Sequence, residues 1–544
     1  MAVLGAFQLP TLVNEPFISY EPKSPERTKL QIALQELEQR EAADVWPNVD
    51  GKDVHSGETV QQISPFNHKL VLANYRLADE ALVEKAIDQA LAAKESWIAL
   101  PFHDRAAIFY RAASLLQNKY KYEMMAATML GQGKNPYQAD IDCIAESIDF
   151  LKTFPALAEQ LYKTQPPFNT PGVWNRSEVR PLDGFVYAVS PFNFTALAVN
   201  LVLAPIIVGN VVIWKPSDGA ILSSWLFNKI MIEAGLPAGV LQFVPGNPQR
   251  VTDAVLSNRQ FSALHFTGST QVFRELWTKI GAKIDFWASY PRLVGETSGK
   301  NFHLIHSSAM VRNAALKTIR AAFEYQGQKC SACSRVYVPK SLSEEFLAIM
   351  VKETRQLSMG SKITDFCGPV INRSAFQRIS KYIEDAKSDT DIEILEGGQC
   401  DDSTGFYIRP TILKTKNADS QLMKAEIFGP VVAVYVYDDA TYGPELFKII
   451  DETSTYALSG AVFANERTAV TAATEALRFA AGNFYVNDQC TGAMPGHQPF
   501  GGSRGSGTND KAGSATLLQR FISSRTIKEN FGVIDEVLYP SNIE

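Results

Sequence analysis

From residue 185 onward, short apolar runs alternate with segments whose apolar residues recur every three or four positions. Phe185–Val189, 211–214, 240–244, 263–267 and 292–295 read as strands, because brief Val/Ile/Phe-rich runs between turn residues are the pattern of strands buried on both faces. Most gaps between them have helical periodicity. Repeated strand–helix–strand units predict a mainly parallel sheet with right-handed crossovers, and such sheets collect ligands at the carboxyl ends of their strands. Two amphipathic helices, Glu80–Ala99 and 104–116, precede this region as scaffold. A second α/β half starts near Lys300, with a helix over 311–325, a strand over 335–338, a helix over 342–357 and later strands through 431–436. Two lobes of comparable size follow.

Residues 184–214 contain no charge, a stretch longer than the roughly 20 residues a membrane-spanning helix needs. Yet Ser190, Pro191, Asn193, Asn200, Pro205, Gly209 and Asn210 would break a lipid-exposed helix and strand its backbone groups. Strand 185–189, loop 190–194, buried helix 195–208 and strand 210–214 fit instead. Residues 165–181, Pro-rich with polar β-formers, and the β-like residues 521–538 fit neither lobe. They read as linkers or as arms pairing with another subunit's edge, and the sequence leaves both open.

The length, 544 residues, allows three or four units at roughly 150 residues each, or two large domains with additions. With 46% hydrophobic and 20% charged residues the chain can bury a large core and is not of disordered composition. The formal net charge of −6, spread along the chain, leaves no basic face for nucleic acid or anionic lipid. Cys143, Cys330, Cys333, Cys367, Cys400 and Cys490 are too scattered for a disulfide framework, which favours a reducing compartment. Residues 1–24 hold one Lys, no Arg and no long apolar run, so they match neither a secretory signal nor an Arg-rich transit peptide.

Four places offer chemistry. Gly327-Gln328-Lys329-Cys330 lies between a helix and a strand, where glycine permits a bend that presents a thiol, although a single Cys is ordinarily a small buried hydrophobe and needs activation from a pKa of about 8.5. Cys330 and Cys333 form a CxxC with no second CxxC to complete a zinc site, and His303 and His306 lack a matching acidic pattern, so no metal is expected. Glu296, ending an apolar strand, can serve as general base, and Asn193, following another, can stabilise an oxyanion; a solvated Glu and an Asx turn are the plain alternatives. Phe266-Thr267-Gly268-Ser269-Thr270 passes from strand to helix, where amides can hold a phosphate, but no GxGxxG fingerprint is present.

In their order these motifs resemble the aldehyde dehydrogenase superfamily along nearly the whole chain. The resemblance rests on Ser190-Pro191-Phe192-Asn193-Phe194, Lys215 in Trp214-Lys215-Pro216-Ser217-Asp218, Gly268-Ser269, Glu296, Cys330, and Glu426-Ile427-Phe428-Gly429-Pro430. Phe323-Glu324-Tyr325-Gln326-Gly327-Gln328-Lys329-Cys330-Ser331-Ala332-Cys333, Thr491-Gly492-Ala493, Gln498-Pro499-Phe500-Gly501-Gly502 and Gly507-Thr508-Asn509-Asp510-Lys511 are most similar to the delta-1-pyrroline-5-carboxylate dehydrogenase branch. The chain departs from the superfamily in Glu296-Thr297-Ser298-Gly299-Lys300, where Glu-Leu-Gly-Gly-Lys is common, and in Phe273, where glycine is common. The latter puts the adenine and pyrophosphate contacts in question.

The resemblance implies an α/β aldehyde dehydrogenase-like fold: a Rossmann-like NAD lobe (25–163 and 183–297), a catalytic lobe (298–510) and a small β oligomerisation arm (164–182 and 520–540). It implies NAD-dependent oxidation of L-glutamate γ-semialdehyde to L-glutamate, with Cys330 as nucleophile, Glu296 as base and Asn193 at the oxyanion. Ser190, Lys215, Gly268, Ser269, Glu426 and Phe428 would bind the cofactor. Ser331, Gly492, Ala493, Phe500, Phe194 and Glu146 would bind substrate, with Ala493 standing where many relatives have Ser. A homo-oligomer, no nucleic-acid or membrane partner, and the mitochondrial matrix follow by the same resemblance, with the cytoplasm as alternative. Another semialdehyde, or thioester hydrolysis without redox chemistry, are the rival readings.

Overall fold

The computed structural model describes Gly5 and residues 7–544. Its first large sheet has seven strands in the order Arg292–Glu296, Phe261–Thr267, Phe185–Val189, Val212–Lys215, Leu241–Phe243, Asn48–Val49, Lys52–Asp53. The first five run parallel and the last two are antiparallel additions. Helices cover both faces, as right-handed crossovers demand. The uncharged stretch resolves into strand Phe185–Val189, helix Thr195–Ile207, buried on nearly every face, and strand Val212–Lys215. Among the described residues no helix is long and apolar enough to cross a membrane.

The second sheet is ordered Ile392–Glu396, Thr411–Thr415, Val431–Tyr437, Cys333–Pro339, Asn301–Ile305, Ser459–Phe463, Asn483–Val486, and only its first strand is antiparallel. Residues 297–300 alone carry the chain from the carboxyl end of Arg292–Glu296 to the amino end of Asn301–Ile305. That short connector makes the carboxyl ends of the first sheet face the amino ends of the second.

One expectation needs correction. The helix expected over 311–325 stops at Phe323, because Tyr325, Gln326 and Gly327 take left-handed backbone angles (φ 52°, 54° and 64°). The bend is enforced at Gly327, where a Cβ would lie 2.3 Å from the Gly429 carbonyl oxygen. The two β-like outliers meet: Val173–Pro181 pairs antiparallel with Ile522–Asn530 of the same chain over its whole length as a two-stranded sheet, and residues 531–538 form no strand.

Candidate active site

The left-handed bend delivers Cys330 to the gap between the two sheets. Asn301, the first residue of its strand, donates through Nδ2 to the carbonyls of Cys330 (2.7 Å) and Ala332 (2.8 Å), and so locks the Cys330 loop to the second sheet. From the first sheet Asn193 reaches across and donates to the Gln328 carbonyl at 3.1 Å. Glu296 ends its strand nearby. Burial pushes the Cys330 thiol up to about 12; the carboxyl groups of Glu296 and Glu426 add to the rise, and the N–H groups of Ser331 and Cys330 oppose it.

Glu296 sits against the Gly501–Gly502 backbone: a Cβ on Gly501 would come within 2.8 Å of Oε1, and the Gly502 N–H donates to the carboxyl. Its Oε2 is buried without a partner, and burial raises its pKa well above the usual carboxylate range. An unpaired buried oxygen is costly, and such groups gather where chemistry is done. Glu426, similarly buried and raised, accepts from the Gly299 N–H at 2.8 Å. Phe428 beside it is left-handed at φ 52°, its ring edge-on to Phe192.

The remaining expected cofactor residues lie at the same facing ends. Lys215 is buried, and among the described residues its ammonium makes one hydrogen bond, a long one of 3.4 Å, to the half-exposed Asp218. Ser190 and Ser269 are engaged elsewhere: the first accepts from the Trp214 indole (2.9 Å), the second caps helix Thr270–Gly281 by accepting from the Val272 N–H. Gly268 donates to the Glu296 carbonyl at 3.2 Å. Phe273 is a core residue, stacked on Phe266 at 5.6 Å and packed over Gly295. Phenylalanine in place of glycine therefore fills the inner side of the helix.

All six expected substrate residues, Glu146, Phe194, Ser331, Gly492, Ala493 and Phe500, line one cavity of about 200 Å³ together with Cys330. Ser331 shares a 2.7 Å hydrogen bond with Thr491, and Gly492, left-handed at φ 92°, turns the loop toward the cavity. A larger open hollow at Leu347, Val351 and Leu395 is lined by none of the expected site residues. Glu146 closes a π-helical stretch, Asp140–Glu146; burial and then Asp142 push its carboxyl up to about 8, while Lys134 and Lys329 pull it down.

Several residues escaped sequence reasoning. Lys329 pairs with Glu324 at 3.0 Å, and Phe17 and Arg320 join the lining. Lys134 and Asp142 form a fully buried pair at 2.6 Å, with the ammonium 4.0 Å from the Phe194 ring centre and 4.5 Å from that of Tyr325. Asp142 also accepts from the Thr195 and Ala196 N–H groups (3.0 and 2.8 Å), capping the helix that follows the Asn193 loop. No local signal marks this pair, since a Lys and an Asp in a helical region ordinarily face solvent. Cys333 meets Cys490 and His303, their ligand-type atoms all within 4.8 Å of one another. Both His303 nitrogens are used there, Nε2 by the Cys490 N–H and Nδ1 by Thr318.

Comparison with known proteins agrees with this geometry. The model of the aldehyde dehydrogenase family matches residues 53–527. A Schizosaccharomyces pombe protein named probable delta-1-pyrroline-5-carboxylate dehydrogenase is 51% identical, covering 100% of both chains. A Mus musculus protein named delta-1-pyrroline-5-carboxylate dehydrogenase, mitochondrial, is 46% identical over 95% of this chain and 92% of its own. The structure of the Mycobacterium tuberculosis delta-pyrroline-5-carboxylate dehydrogenase bound with NAD superposes with a TM-score of 0.95 at 43% identity, covering 99% of each chain. With two parallel sheets meeting end to end around a thiol, an Asn amide and a buried Glu, and with the family's pattern matched from residue 53 to 527, the chain belongs to the aldehyde dehydrogenase family.

Proposed function

We propose that this chain oxidises L-glutamate γ-semialdehyde, which equilibrates with delta-1-pyrroline-5-carboxylate, to L-glutamate using NAD, the second step of proline catabolism. The observation that carries the reading is the single cavity uniting Cys330 with Ser331, Gly492, Ala493, Glu146, Phe194 and Phe500. A substrate with an aldehyde at one end and an amino acid at the other needs a nucleophile, polar anchors and an apolar passage between them. The likeness to relatives of that name supports the same substrate.

The residues fit NAD. A lysine ammonium has three donors, and Lys215 uses one of them in a long bond, which leaves donors for a ribose hydroxyl. Asp218 beside it would repel a 2′-phosphate. Gly268 and Ser269 lie at a helix N-terminus suited to phosphate oxygens, and Glu426 with Phe428 would orient the second ribose. NAD supplies, when bound, the hydride acceptor.

Cys330 as thiolate attacks the aldehyde carbon. The second Asn193 amide hydrogen, free of the Gln328 carbonyl, and the Cys330 N–H donate to the oxyanion of the resulting thiohemiacetal. Loss of hydride from that carbon leaves a thioester on Cys330. Glu296, once ionised, takes a proton from water, which attacks the acyl carbon and frees the acid. Ser331 and the backbone N–H groups of Gly492 and Ala493 hold the substrate α-carboxylate, and Glu146 faces its amino group.

We further infer that 25–163 and 183–297 bind NAD, that 298–510 catalyse, and that 164–182 with 520–540 form an oligomerisation arm. The arm exposes Trp174, Phe531, Val533 and Ile534, an apolar set that supports a homo-oligomer. Relatives bearing the word mitochondrial support the mitochondrial matrix as compartment. The test is NADH formation with glutamate γ-semialdehyde beside a panel of aldehydes lacking an α-carboxylate. The expected result is NAD-dependent turnover with the highest kcat/KM on the semialdehyde; ester hydrolysis without redox, or preference for a plain aldehyde, would overturn the proposal.

A further inference from the structure

Upstream of both sheets, residues 14–20 put Phe17 into the lining of the substrate cavity and are bolted at two points to the helical stretch that carries Glu146. The Glu15 N–H donates to Asp149 Oδ1 (2.8 Å), and the Ile18 N–H donates to Asp140 Oδ2 (3.1 Å). Tyr20 adds a 2.6 Å hydrogen bond to the other Asp140 oxygen. Both carboxylates are buried, so these are strong charge-assisted bonds. Between the bolts stands Phe17, whose side chain lines the cavity. A third tie runs to the opposite wall: Asn14 donates through Nδ2 to Asp149 (2.7 Å) and to the Pro495 carbonyl (3.0 Å), while its Oδ1 accepts from His497 Nε2 at 3.0 Å. Pro495 belongs to the same loop as Gly492 and Ala493.

Resting on the function proposed above, we propose that Phe17 is a specificity-determining wall of the substrate cavity and that Asn14 is the positioning residue that sets the distance between the Glu146 helix and the anchor loop. Phe17 limits how far an aldehyde's tail extends beyond Cys330. Asn14, touching both walls at once, holds the loop amides where an α-carboxylate meets them. A tail without a carboxylate does not use those amides.

The test is steady-state NADH formation by the full chain and by Phe17→Ala, Phe17→Leu and Asn14→Ala, with glutamate γ-semialdehyde, propanal and a longer unbranched aldehyde, alongside thermal unfolding. Asn14→Ala is expected to raise KM for the semialdehyde about tenfold with kcat within twofold and propanal unchanged. Phe17→Ala is expected to raise kcat/KM for the longer aldehyde relative to the semialdehyde about tenfold, with Phe17→Leu restoring most of the ratio. Variants of an active wild type that keep every ratio within twofold, or that change KM for all three aldehydes by one common factor, would overturn this inference alone. A wild type active on propanal and silent on the semialdehyde would overturn the substrate assignment and this inference with it.

Discussion

The two seven-stranded sheets present their chemistry from opposite ends. In the first, Asn193, Lys215, Gly268 and Glu296 all lie at or just beyond the carboxyl ends of parallel strands. In the second, Cys330 lies just before strand Cys333–Pro339, and Glu426 and Phe428 just before Val431–Tyr437, at the amino ends. The rule that ligands gather at carboxyl ends describes the first sheet alone. The second sheet obeys a different constraint: residues 297–300 are too few to cross over a face, so its amino ends are brought against the first sheet's carboxyl ends. A site between two sheets joined this way places Asn193 and Glu296 from one sheet opposite Cys330 from the other, with candidate cofactor groups, Lys215 and Glu426, on both.

The sharpest way to break this division is at the nucleophile. Cys330→Ala is expected to lower NADH production by about 10⁴-fold or more, as loss of an attacking group does. In the free chain the same thiol, pushed up to about 12, should be alkylated by iodoacetamide about tenfold faster for each pH unit between about 7 and 10. A rate flat over that range would show that the thiol ionises far lower.

At the first sheet, Glu296→Gln is expected to slow steady-state turnover about 10²- to 10⁴-fold while a single-turnover burst of NADH persists, because only water attack needs the base. Its raised pKa gives the sign of the pH effect: the ionised form grows as pH rises, so wild-type thioester hydrolysis should accelerate toward alkaline pH and the variant should lose that rise. A variant that loses the burst as well would place Glu296 in the first half-reaction.

Asp142→Ala tests the buried pair that supports the Asn193 loop. It leaves the Lys134 ammonium buried and unpaired and uncaps the helix after Asn193, and should destabilise the protein by about 3–5 kcal/mol in denaturant unfolding. Loss below about 1 kcal/mol would mean that the pair is replaced at little cost. Lys215→Ala and Glu426→Gln, one from each sheet, should each raise KM for NAD about tenfold; an effect in only one would assign the cofactor to one sheet. The smallest change is Ala493→Ser, expected to lower KM for the semialdehyde about twofold to tenfold by adding a hydroxyl donor.

Much of this was readable in advance. Phe185–Val189 and Glu80–Ala99 match the structure residue for residue, and the helix starting at Thr195 is off by one residue at its end. Each is encoded by the spacing of its own apolar residues. The helix end at Phe323 was missed because the left-handed run depends on Gly429, a hundred residues away in the chain, pressing on Gly327. Cys333 shows the same limit. By sequence it pairs with Cys330, and in space it faces Cys490 and His303.

The sequence by itself determined the strand–helix alternation and the order of the motifs, because apolar periodicity and turn residues act over a few positions. Only the tertiary structure decided that Phe17 and Cys330 line one cavity, that Lys134 and Asp142 are buried together, and that Val173–Pro181 pairs with Ile522–Asn530. Lys134 and Asp142 are only eight residues apart, but distant elements bury them; the other contacts join segments far apart along the chain, which no local pattern records.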